Sequence, residues 1–154
     1  MGGLDGDLDA RTQLNALTLS CWRSLVKVHA IVSREIQADL IERRRLTLGA
    51  FEVLVQLSGA SGREQRMTDL ADAVLLSRSG VTRLVDRLER AELVARQRTS
   101  DDGRGVVAVL TEKGLDRLRT AAVTHLDGIV RHFVARLDCE QLTELGRITA
   151  RLGD

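Results

Sequence analysis

From Leu14 onward, apolar residues recur every three or four positions: Leu14, Leu17, Cys21, Leu25, Val28, Val32, Ile36 and Leu40. That period marks one face of an α-helix, and its extent predicts a helix of about eight turns. A small domain cannot cover so long a stripe by itself, which points to a partner chain. A shorter helix is expected over 48–57, carrying Phe51, Leu54 and Val55, followed by a polar loop over 58–66. Two helices in quick succession come next. The first, near residues 68–74, buries Leu70, Ala71 and Val74. The second opens at Ser77, a good N-cap, and runs to about Arg90. Within it Val81, Leu84, Val85 and Leu88 form an apolar face, and Ser79, Thr82, Arg83 and Asp86 form the opposite one, with Arg87 and Arg90 beside it.

The period then drops to two. Residues 93–98 and 106–110 read as short strands, joined by a loop that holds Asp101, Asp102, Gly103, Arg104 and Gly105. Thr111 is placed to cap a further helix, along which Leu115, Leu118, Ala122, Leu126, Ile129, Val130 and Phe133 recur at helical spacing. Asp138 and Gln141 make a capping-box-like start to a last helix striped by Leu142, Leu145, Ile148 and Leu152. Residues 1–9 alternate Asp and Gly without period and read as a flexible tail, leaving one domain over 10–154.

Composition narrows the class. The chain has 154 residues, 44% of them apolar, which suits one globular domain and excludes disorder as the main state. It contains no proline, in keeping with a mostly helical fold. No apolar run approaches the roughly 18 residues of a membrane span, and the acidic, Gly-rich start does not resemble a secretory signal, so a cytoplasmic protein is expected. With 23 basic and 22 acidic residues, net charge gives no bulk attraction to nucleic acid. Any such affinity must come from where the arginines sit.

Two short helices followed by a β-hairpin make a winged helix-turn-helix arrangement. A helix that buries one face and presents Ser, Thr and Arg on the other suits the DNA major groove, where Arg reads guanine through two hydrogen bonds. Arg104, at the tip of the hairpin, would enter the neighbouring minor groove. The plainer reading is that these arginines only solvate a helix face, and the hairpin directly after it argues against that.

Two stretches resemble the MarR-type transcriptional regulators. One is the wing, Asp102-Gly103-Arg104 through Val109-Leu110-Thr111 to Gly114; the other is the helix-turn-helix from Met67 to Val94. The likeness extends from about Leu17 to Leu152. It implies a mainly α fold with a small β-hairpin wing, in which residues 47–111 form the winged helix-turn-helix lobe and 10–46 and 112–154 the N- and C-terminal dimerisation helices. By the same resemblance, Ser77, Arg78, Ser79, Thr82, Arg83 and Arg87 lie along the DNA-contacting helix, and Asp102 braces Arg104. The implied partners are double-stranded DNA, as a pseudo-palindromic operator, and a second copy of the chain. The implied function is repression, relieved when a small aromatic or phenolic effector binds. No cofactor is implied. One departure concerns structure: family members commonly carry Gly where this chain has Glu92, and a side chain in a left-handed C-cap costs on the order of 1 kcal/mol.

Trp22, His29 and Phe51 are the candidate effector contacts, with Trp22 and His29 sharing a face of the first helix. Their plainer reading is packing: Trp22 and Phe51 as core, His29 as a surface or satisfied histidine. The tryptophan, aspartate and arginine set of urate-responsive relatives is not recognisable. Cys21 offers a thiol-based redox response, with Cys139 as a possible neighbour across a dimer; its place on the apolar stripe instead predicts an inert, buried thiol. His125 and His132, seven residues apart on one helix, stand about 10.5 Å apart and cannot chelate one ion between them. No H-E-x-x-H, G-x-S-x-G or phosphate-cradling glycine loop is present, and no catalysis is expected. A winged helix serving only protein contacts is the alternative outside DNA binding.

Overall fold

The computed structural model describes residues 16–74, 76–98 and 105–153. Along the chain run α1 (Ala16–Arg44), α2 (Leu48–Gly59), β1 (Glu64–Arg66), α3 (Met67–Ala73), α4 (Arg78–Arg90), β2 (Val94–Arg98), β3 (Val106–Leu110), α5 (Glu112–His132) and α6 (Cys139–Gly153). The long first helix comprises 29 residues. Leu14 and the tail fall outside the described residues, as do the wing residues Asp101, Asp102, Gly103 and Arg104.

Local chemistry sets the helix starts. Thr47, Ser77 and Thr111 each sit in extended backbone and accept a hydrogen bond from the amide three residues on. Asp138 and Gln141 cap α6 reciprocally: Gln141 N–H donates to Asp138 Oδ1 at 2.8 Å, and Asp138 N–H donates to Gln141 Oε1 at 3.0 Å. Each pairing satisfies donors that a helix leaves orphaned.

The polar segment after α2 is not simply a loop. Its last three residues form β1, which pairs antiparallel with β3 in the register Glu64↔Val109, Gln65↔Ala108 and Arg66↔Val107. The sheet therefore has three strands in the order β1-β3-β2. Glu64, Gln65 and Arg66 carry no apolar alternation, so nothing local marks them as a strand. The pairing is made by β3, over forty positions later in the chain.

Leu40, Val53, Leu54, Leu57, Leu70, Val81, Val85 and Val94 form the centre of the core, fully enclosed by α1, α2, α3, α4 and the sheet. The chain returns from the wing into α5 at a tight junction. A Cβ on Gly114 would run into the carbonyl oxygen of Leu93, so only glycine fits this close approach. On the other side of that contact α4 ends in a Schellman motif: Leu93 N–H donates to Leu88 O and Glu92 N–H to Glu89 O, both at 2.9 Å. Glu92 takes the left-handed position, at φ 62°. The helix thus ends as it would with glycine there, and Glu92 carries the strain. Its carboxylate pairs with Lys113 at 2.7 Å, which holds it below the usual carboxylate range, but that exposed ion pair is a weak offset.

α5 runs antiparallel to the second half of α1. Arg44 Nε donates to Thr124 Oγ1 at 2.7 Å and Arg117 Nη1 to the Arg44 carbonyl at 2.8 Å. Farther along, His132 Nε2 lies 2.8 Å from Oδ2 of the buried Asp39, and Arg131 Nη2 lies 3.4 Å from the same oxygen. The His132 hydrogen bond, and the charges of Arg131, His132 and Arg43, hold the Asp39 carboxyl below its ordinary value against the opposing effect of burial. By contrast, no residue of α1 before Ile36, among those described, is buried, and none of α6 is.

Two outcomes are expected. Glu92→Gly relieves the left-handed strain and raises the melting temperature by a few degrees in a thermal scan. Asp39→Asn lowers the melting temperature at pH 7. Because the folded carboxyl titrates below its ordinary value of 3.8, its contribution is complete above that pH and lost as pH falls through the folded value. The deficit of the variant relative to the wild type therefore shrinks as pH is lowered below 3.8.

Candidate nucleic-acid interface

The helix best placed to meet a ligand is α4. Ser77 Oγ accepts from Gly80 N–H at 3.1 Å and lies 3.2 Å from Ser79 Oγ, so its hydroxyl serves first as the helix cap. Val81, Val85 and Leu88 anchor the inner face in the core, and Leu84 packs half-buried beside them. Outward, Arg78, Ser79, Thr82, Arg83, Arg87 and Arg90 are all exposed. Thr82 Oγ1 donates to the Arg78 carbonyl at 2.9 Å, and Arg83 Nε reaches the Ser79 carbonyl at 3.4 Å. Among the described residues, no ion pair ties down the guanidinium groups of Arg78, Arg83, Arg87 or Arg90. The helix therefore offers free cations and short hydroxyls on one surface.

The acidic residues of α4 are treated differently. Asp86, which the pattern places on the outward face, is engaged by Arg96 of β2: Arg96 Nη2 lies 2.6 Å from Asp86 Oδ1. The other nitrogen, Nη1, lies 2.7 Å from Glu89 Oε2. Asp86 is thereby withdrawn from the ligand-facing set and its charge offset. Sequence reading passed over Arg96. The signal available was a helix, a tight reversal and a strand, which together bring an arginine back alongside two acids.

Trp22, His29 and Phe51 differ in their surroundings. Phe51 is buried, with its ring stacked on His125 at 4.5 Å between centroids, so it serves the core as its plainer reading expects. Burial pushes the His125 imidazole below its ordinary value. Trp22 is 64% exposed, which corrects its reading as core. His29 is also exposed, on the same face of α1. Near it lies Glu52 of α2, whose carboxyl is raised by burial and pulled down by the charge of His29. Cys21 is likewise exposed rather than buried, because none of the described residues covers the first half of α1. Cys139 is exposed at the start of α6. His125 and His132 face different partners, Phe51 and Asp39. No described helix is long and apolar enough to cross a membrane.

A helical core whose outward-facing helix leads directly into an antiparallel hairpin defines a winged helix-turn-helix protein. A sequence model of the MarR family matches residues 46–106. AbsC, a MarR family transcriptional regulator from Streptomyces coelicolor, is 36% identical over 91% of this chain and 94% of AbsC, with a TM-score of 0.80. Sco3205, a MarR family transcriptional regulator from the same organism solved in complex with DNA, is 30% identical over 91% of this chain and 88% of its own, with a TM-score of 0.82. The HTH-type transcriptional regulator MhqR of Bacillus subtilis is 34% identical over 62 residues, 40% of this chain and 43% of MhqR. The chain thus matches less than half the length of that curated relative. It belongs to the MarR family of transcriptional regulators.

Removal of the Ser77 cap gives a direct check on how α4 is held. Ser77→Ala is expected to lower stability by about 1 kcal/mol in urea unfolding, and Ser77→Asp, which keeps a capping oxygen, to recover most of it.

Proposed function

We propose that the chain binds double-stranded DNA sequence-specifically as a homodimer, inserting α4 into the major groove of each half-site and the wing into the flanking minor groove. The observation that carries this reading is the outer face of α4. Among the described residues its exposed arginines form no ion pair, while its two carboxylates are neutralised from the wing. In this reading Arg83 and Arg87, one helical turn apart, supply base and phosphate contacts, with Arg78, Ser79 and Thr82 at the groove edge. Arg104 and its brace Asp102 are assigned to the minor groove by family resemblance.

Dimerisation follows from apolar surface with no cover. Leu19, Leu25, Val26, Val28 and Ile31 on α1 are exposed in the protomer, as are Leu126 on α5 at 61% and Leu152 on α6 at 73%. A second copy that interlocks these helices buries all three stripes at once. Two α4 helices related by a two-fold axis then address half-sites about one helical turn apart, on a pseudo-palindrome.

Repression, relieved by a small aromatic or phenolic effector, is the mode we assign. Exposed Trp22 and His29 on α1 are the effector contacts in this reading, and Phe51 is left to the core. Such a ligand works only if it favours the DNA-incompetent arrangement of the lobes, by the coupling of about 1–3 kcal/mol usual for allostery. A thiol response at Cys21 is the weaker reading, because the stripe that leaves Cys21 exposed in the protomer covers it in the proposed dimer.

The test is a gel shift on the intergenic DNA upstream of the protein's own gene, against a shuffled control near physiological salt. A discrete complex on the native fragment alone is expected, with affinity falling steeply as salt rises. Arg83→Ala should reduce discrimination between the two DNAs by about tenfold or more, in line with the ~1–3 kcal/mol of one bidentate base contact. Arg104→Ala should weaken binding to both with less change in preference. Little binding to either DNA at any salt would overturn the reading in favour of a protein-interaction module.

A further inference from the structure

Arg96 does more than balance charge. Its guanidinium reaches three successive points along α4: Nη2 donates to the Thr82 carbonyl at 3.3 Å and pairs with Asp86 at 2.6 Å, and Nη1 pairs with Glu89 at 2.7 Å. Its backbone N–H also donates to Glu89 Oε1, at 3.3 Å. Thr82, Asp86 and Glu89 stand at i, i+4 and i+7, so a single side chain on β2 spans two turns along one face of the helix. β2 is an edge strand, paired with β3 on one side only, and Glu89 supplies an acceptor for the other side. The side chain is three-quarters covered, at 24% exposure, and its guanidinium is held by two carboxylates at once. This sets it apart from isolated surface ion pairs, whose contribution is small.

We propose that Arg96 is a positioning residue that makes α4 and the wing strands one rigid reading head, so that major-groove and minor-groove contacts form together. The proposal rests on the DNA-binding reading above. Without Arg96, the polar links between helix and wing are confined to the turn at Ala91, Glu92 and Leu93, where Thr111 holds the Glu92 and Leu93 carbonyls and Lys113 pairs with Glu92, beside the packing of Leu88, Leu93 and Val94. β2 beyond that pinned turn then moves relative to the helix, and freezing that motion on DNA costs affinity. Loss of Arg96 also uncovers two carboxylates near phosphate. Geometry and charge are separable by mutation.

The experiment compares four proteins for operator affinity, affinity for shuffled DNA and hydroxyl-radical footprint: wild type, Arg96→Ala, Arg96→Lys, and Arg96→Ala combined with Asp86→Asn and Glu89→Gln. Arg96→Ala should lose about tenfold or more in operator affinity and the protection flanking each half-site. The triple variant, free of the exposed carboxylates, should recover affinity for shuffled DNA but neither operator affinity nor flanking protection. Arg96→Lys keeps the charge without the fork, and should retain the fold while losing operator preference. Full operator affinity in the triple variant, or in Arg96→Ala, overturns the positioning role. A DNA-free measurement separates this failure from failure of the DNA reading. Hydrogen exchange in residues 94–98 and the second half of α4 should quicken in the triple variant, with α1 and α5 unchanged, whatever the wild type binds. Unchanged exchange in residues 94–98 also overturns the proposal. Should Arg96→Ala fail to fold, Arg96→Lys carries the same readouts, and wild-type operator affinity and exchange in that variant decide against it.

Discussion

The contact between Gly114 and the Leu93 carbonyl is the point on which the molecule turns. Four elements meet there: the end of α4, the start of β2, the end of β3 and the start of α5. Thr111 stitches them together, its hydroxyl donating to the Glu92 carbonyl at 2.8 Å and its amide to the Leu93 carbonyl at 3.2 Å, while Thr111 Oγ1 accepts from Gly114 N–H at 2.9 Å. A helix start, a helix end and both ends of a hairpin are satisfied by one hydroxyl, two carbonyls and an absent Cβ. The direction of α5 is therefore fixed relative to α4.

Charge follows the same economy. A formal charge of +1 says little about where the positive potential lies. The acids of α4 are drawn to its wing side by Arg96, and Asp39 is enclosed between α1 and α5 by His132 and Arg131. What remains uncompensated on α4 is cationic. A nearly neutral chain thus acquires a positive face by disposing of negative charge elsewhere, and long-range attraction to non-cognate polyanions stays modest.

Features written by local chemistry were legible in the sequence. Ser77, Thr111 and the Asp138–Gln141 pair mark helix starts within a residue, and the change of period after Arg90 marks β2 and β3. The features that escaped are set by distant chain. β1 exists because β3 offers an edge, not because Glu64-Gln65-Arg66 favours a strand. Asp39 meets His132 across 93 positions. Phe51 reads as core more readily than as a ligand contact, but the His125 ring stacked on it is not visible in the sequence. On the candidate interface, the outward set of α4 was visible from its spacing, but the withdrawal of Asp86 required the return path of β2. Cys21 and Trp22 look buried in the pattern because an apolar stripe records that something covers it, not whether the cover is the same chain.

The last helix carries a further consequence. α6 has 15 residues, and none of those whose burial is described is buried in the protomer; a helix of that length standing alone in water is marginal. Under the proposed pairing its order is borrowed from a second molecule, so the folded fraction depends on how many copies the cell holds. A regulator built this way senses its own abundance. When copies are scarce, the half-assembled chain exposes a frayed end to proteolysis, and two adjoining half-sites on DNA, by holding two chains together, become a stabilising scaffold as well as a target.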